Sequence, residues 1–104
     1  MNALFIALIV VMPALQAAAQ NPDTVVTRIR WIRNLPQPVK AAWRNCKYAD
    51  WHIFGIERLA TPADTLYMIH VARYQALGPD DADIAEEDLL YFSSTGQLRR
   101  IRKL

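Results

Sequence analysis

Six of the ten acidic side chains in this 104-residue chain fall within nine positions, at Asp80, Asp81, Asp83, Glu86, Glu87 and Asp88. Carboxylate oxygens at that density can bind Ca²⁺. The spacing is not that of an EF-hand loop, and no glycine sits mid-loop to turn the chain sharply. Two further readings stay open. The run can be a solvated hairpin tip that discourages edge aggregation, or an acidic loop facing a partner through Asp80, Asp81 and Asp83. As a connection over residues 77–87 it exceeds the usual hairpin length, which is the reason to suspect function there.

The remaining reactive groups are sparse. His52 and His70 are the two histidines. If a hairpin turns at 60–64 with 59 opposite 65, then 52 faces 72 and 54 faces 70, and the histidines become diagonal neighbours on one face. A one-residue slip would separate them, and no third metal ligand is near in sequence. Cys46 is the single cysteine. It lies on an apolar helical stripe, where an inert buried thiol is expected, and it has no activating motif for nucleophilic work. Ser93 and Ser94 lack a G-x-S-x-G context. With three glycines in the chain there is no phosphate-cradling loop. No catalytic, metal or cofactor set emerges. Basic groups collect at Arg28, Arg30 and Arg33 and again at Arg99, Arg100, Arg102 and Lys103. Together they can form a cationic patch if the first and last strands are neighbours. A net charge of +2 argues against a nucleic-acid partner.

The elements that would position these groups follow from periodicity. Residues 24–33 alternate, with Val25, Thr27, Ile29 and Trp31 on one side and Val26, Arg28, Arg30 and Ile32 on the other, which reads as a strand. Pro36-Gln37-Pro38 then opens a helix over residues 37–47, since proline is tolerated in a first turn. Val39, Ala42, Trp43 and Cys46 recur there at i, i+3, i+4 and i+7. Strands are expected over 51–59, with Gly55 a bulge point, and over 65–74, 88–93 and 98–103, with turns at 61–64 and 94–96. The fold class is α+β: one helix packed on an antiparallel meander of four strands, or five if residues 20–34 join.

The chain start sets the compartment. Residues 1–19 read as a secretory signal peptide. An apolar run over residues 3–12 is followed by Pro13 and the small-residue site Ala17-Ala18-Ala19. The whole apolar stretch over residues 3–15, thirteen long, is too short for a bilayer span, which needs about 20. Cleavage after Ala19 leaves 85 of the 104 residues, one small domain in the periplasm or secreted. One cysteine permits no internal disulfide, so the core must be apolar packing.

Four stretches resemble the PepSY-like family of small exported bacterial domains, of the type common in Bacteroidetes periplasms. They are Leu35-Pro36 with Val39, Ala42 and Trp43; Tyr48-Ala49-Asp50-Trp51 with Ile53; Thr65-Leu66-Tyr67 with Ile69 and Val71; and Asp88-Leu89-Leu90-Tyr91-Phe92 with Gly96-Gln97-Leu98. The likeness spans residues 35–104. It implies an α+β domain that binds rather than catalyses, among folds that include β-lactamase-inhibitor-like modules, with peptidases and other envelope proteins as targets. The chain departs from some relatives in having one repeat instead of two.

Every strand carries apolar residues of both parities, so a single short helix cannot cover all of Trp31, Trp51 and Phe54. These three aromatics, with Asp80, Asp81 and Asp83, are the candidate partner-binding residues. The partner would be an envelope protein, or a second copy meeting the open sheet face in a homodimer with an assembly role. A small-ligand or metal-binding enzyme fragment is the third hypothesis.

Overall fold

The computed structural model describes residues 23–104; the expected leader lies outside the described residues. Five strands form a single antiparallel sheet in sequence order: β1 (Val25–Ile29), β2 (His52–Ala60), β3 (Thr65–Gly78), β4 (Asp81–Ser93) and β5 (Leu98–Lys103). One helix, α1 (Gln37–Asn45), crosses one face between β1 and β2 in sequence. This is the α+β meander expected, with the N-terminal segment joining as the fifth strand. β1 pairs with β2 from Val25 opposite Ala60 to Ile29 opposite Ile56.

α1 starts where two prolines allow it, with Pro36 as cap and Pro38 in the first turn. It stops at Asn45, two residues short of the expected end, because Cys46 is already extended. Val39 and Trp43 point into the sheet. With Leu35, Tyr48, Ile56, Tyr67, Ile69, Val71, Leu90 and Phe92 they make the main core, each large buried side chain contributing about 1.5–3 kcal/mol.

β1 stops at Ile29, short of the expected limit at residue 33, because Ile32–Asn34 turn into a short 3-10 helix. Two further expectations need correction. The stretch at 77–87 is not a long connection. β3 and β4 run four and seven residues further than their expected limits and meet in a turn at Pro79-Asp80. Cross-strand pairing, Arg73 opposite Glu86 through Gly78 opposite Asp81, overrides the low β-propensity of the acids. The second correction is register. Leu59 faces Leu66, not Thr65, and Gly55 rather than Phe54 faces His70. His52 does face Ala72. The shift between them is a bulge at Gly55 that leaves Phe54 as the extra residue.

Candidate functional site

The sheet face opposite α1 is covered by no helix or strand among the described residues. Its centre is nonetheless apolar. Leu59, Met68, Leu89 and Tyr91 cluster there, flanked by Val26 and Leu66. All four are below a tenth exposed, screened by neighbouring side chains such as Arg100, whose guanidinium lies 5.5 Å from the Tyr91 ring centre. Long cationic side chains cover apolar surface while keeping their heads in water.

Toward one end this face turns aromatic. The Gly55 bulge presents Phe54 outward, and its ring meets three others edge-on: His52 at 5.1 Å, His70 at 5.2 Å and Tyr74 at 6.3 Å between centres. The two histidines thus share a face with the Phe54 ring between them. Phe54 is 38% exposed and Tyr74 45%. His70 Nε2 lies 2.6 Å from Glu87 Oε2 on the adjacent strand, which fixes the imidazole. Nearer the centre, Glu57 Oε1 is buried without a hydrogen-bond partner. Burial pushes the Glu57 carboxyl above the usual carboxylate range, with Arg28 and His70 opposing.

On the α1 face a second polar group is enclosed. Asp88 is fully buried and its Oδ2 accepts from Lys103 Nζ at 2.9 Å. The Tyr48 hydroxyl is near the same carboxylate without reaching hydrogen-bond geometry, and both it and Asp88 Oδ1 lack partners. Burial first, then Asp88, raises the Tyr48 phenol above its ordinary value, while Asp88 raises Lys103.

The sequence-derived candidates separate. Phe54 stands on the open face. Trp31 is 54% exposed just beyond β1, with the Arg33 guanidinium 5.3 Å from its ring centre. Trp51 is half-buried against the main core, edge-on to Tyr48 at 4.7 Å. Asp80, Asp81 and Asp83 are exposed at the tip of the β3–β4 hairpin, and Asp83 Oδ1 accepts from the Ile84 N–H at 2.8 Å. Tyr74 and His52, which join the patch, are not among the sequence-derived anchors. The alternation through Tyr74 signalled a strand face, but only the bulge shows that Phe54 and Tyr74 meet. Among the described residues no group of three or more His, Cys, Asp or Glu side chains could hold a metal ion. Cys46 is half-buried with its thiol directed to the Trp43 carbonyl at 3.1 Å, and the Ser93 hydroxyl is held by Thr95 and the Gln97 N–H.

One helix across an open five-stranded antiparallel sheet makes this a small α+β domain, with an aromatic patch on the bare side. Solved structures with this fold include a BLIP-like protein from Bacteroides fragilis, 23% identical over 78% of this chain and 51% of its own, with a TM-score of 0.65. A DUF2874 family protein from Bacteroides ovatus is 20% identical over 77% of this chain and 52% of its own, at 0.63. A Bacteroides eggerthii protein assigned to the periplasm is 15% identical over 77% and 52%, at 0.64. This chain therefore spans about half the length of each. No family model and no curated protein matches the sequence.

Proposed function

We propose that the chain is an exported, non-enzymatic binding module of the bacterial envelope whose bare sheet face docks on another envelope protein, with Phe54 as its central anchor. The carrying observation is the Phe54 ring held outward by the bulge, edge-on to His52, His70 and Tyr74, on a face that no described element covers. Clustered aromatics of this kind supply contact area at low entropic cost and concentrate binding energy. Trp31 and the acidic tip at Asp80, Asp81 and Asp83 are secondary contacts at the margins. The export pattern of residues 1–19 and the periplasmic assignment of one structural neighbour support the location. The BLIP-like neighbour supports binding over catalysis, with an envelope peptidase as the kind of target the PepSY-like resemblance suggests.

A photo-crosslinking amino acid at position 54, with one at Ala41 on the outer side of α1 as control, tests this in intact cells. A position-54 adduct with a different envelope protein is expected. A self-adduct alone would favour the homodimer through the open face. No adduct above the control overturns the proposal.

A further inference from the structure

β5 covers only half of β4. Their pairing ends with Lys103 opposite Asp88, where the Leu104 N–H donates to the Glu87 carbonyl at 2.9 Å. On the other side β2 ends with His52 opposite Ala72. Beyond these limits β3 and β4 continue as a two-stranded arm over residues 73–86. Among the described residues nothing pairs with the outer edge of residues 81–86, nor with the outer edge of β5. Both bare edges lie on the same side of the sheet, and they form a step: β5 projects one strand width beyond the arm. Each segment is six residues long, about 20 Å of strand.

The two segments are chemically complementary. The arm edge carries Asp81 and Asp83, beside a Glu86 already paired with Arg73 at 2.7 Å; β5 carries Arg100 and Arg102, with Arg99 3.5 Å from Asp64 and Lys103 2.9 Å from Asp88. Of the nine exposed large apolar side chains among the described residues, six lie on the arm or on β5 and its end: Tyr74, Leu77, Ile84, Leu98, Ile101 and Leu104. An edge with free backbone groups and uncovered apolar side chains is a template for strand addition.

We propose that this edge is the docking site for a second copy of the chain, each β5 seated in the step beside the other copy's arm. A two-fold axis normal to the sheet achieves this twice at once, so the contact closes at a dimer. Each β5 then runs parallel to the arm strand it joins. Arm against arm would oppose acids, and β5 against β5 would oppose bases. The charges thus exclude the like-with-like pairings and select the mixed one. The inference stands apart from what the open face binds. It adds one consequence: an axis normal to the sheet leaves both Phe54 patches looking the same way, a bivalent surface.

Sedimentation of the mature protein with two charge-reversed variants tests the arrangement. One carries Arg99→Glu and Arg102→Glu, the other Asp81→Lys and Asp83→Lys. These substitutions leave the Lys103–Asp88 and Arg100–Tyr91 contacts in place; they remove the exposed Arg99–Asp64 pair and the Asp83 acceptor of the Ile84 N–H, and far-UV circular dichroism with a thermal melt confirms folding of each. The parent is expected to be dimeric at about 100 µM. Each variant alone should dimerise at least about tenfold more weakly, and an equimolar mixture should recover the dimer because both steps are again matched. A monomeric parent, variants that dimerise like the parent, or a mixture without recovery overturns the proposal. Hydrogen exchange gives an independent reading. Concentration-dependent protection is expected at 81–86 and 98–103, and protection centred on Phe54 instead would refute the edge contact.

Discussion

Replacing Gly96 by alanine probes whether the β4–β5 turn and α1 are locked together. Gly96 has φ +90, and its N–H closes the turn onto the Ser93 carbonyl at 3.0 Å. A Cβ at this position would stand 2.5 Å from the Pro38 carbonyl oxygen, 3.0 Å from its carbon and 3.5 Å from the Ala42 Cβ. Two effects add. A left-handed backbone costs a residue other than glycine about 1–2 kcal/mol. The collision is with helix backbone, not with a flexible side chain, so α1 must lift. That disturbs Val39 and Trp43, which are 0% and 5% exposed, and such overpacking typically costs about 1–3 kcal/mol. A combined loss of about 3 kcal/mol is expected, a large part of the stability of so small a domain. By the usual scaling of about 4–8 °C per kcal/mol, the melting temperature should fall by about 12–24 °C. Gly55→Ala is the internal control. Nothing lies within 4 Å of its Cβ position and its φ is not positive, so its effect should stay within about 1 kcal/mol. Urea and thermal melts followed by circular dichroism measure both. A Gly96→Ala protein within about 1 kcal/mol of the parent, or two alanine variants that are equally damaging, would refute the reasoning.

Other outcomes follow from the same packing and charge arguments. Trp51→Ala should destabilise by about 2–3 kcal/mol, since it strips a half-buried ring from the core. Trp31→Ala should change stability by less than about 0.5 kcal/mol, and it should remove most of the acrylamide-quenchable fluorescence because Trp31 is the exposed indole. The pH dependence has two parts. Tyr48 and Lys103 hold their protons more tightly folded than unfolded. The stability they lend is therefore complete below the ordinary phenol value of 10.0 and is lost as pH rises through the raised values. Glu57 is also raised, so its ionised form disfavours folding at neutral pH. Glu57→Gln should melt a few degrees higher at pH 7, and the difference should vanish as pH falls toward 4.5, the ordinary carboxyl value. An unchanged difference across that range would remove burial as the cause.

Much of the fold is legible in the chain because its signals are local. The prolines before Val39 and the stripe through Trp43 mark α1 without reference to anything distant. Alternation marks β1 and the paired half of β3, and Gly55 announces its bulge. Less of the candidate site is legible. Trp31, Trp51 and Phe54 look alike as exposed-aromatic candidates, yet Trp51 packs on Tyr48 beneath the helix side while Phe54 turns to the bare face. The arm is illegible for a related reason. Its residues are mostly exposed, so no apolar period reports a strand, and the acids read as loop.

Composition and spacing alone carry much of the fold class of this molecule: a single thiol that permits no internal disulfide, one amphipathic helix and a set of alternating strands. These depend on neighbours a few residues apart, where periodicity and capping act. Tertiary structure decides how far β3 and β4 run, which residue the bulge displaces and which ring faces out. Those outcomes depend on pairings such as Arg73 with Glu86 and Gly55 with His70. Backbone hydrogen bonding between segments far apart in the chain there outweighs local preference, and a shift of one residue exchanges the buried face for the exposed one.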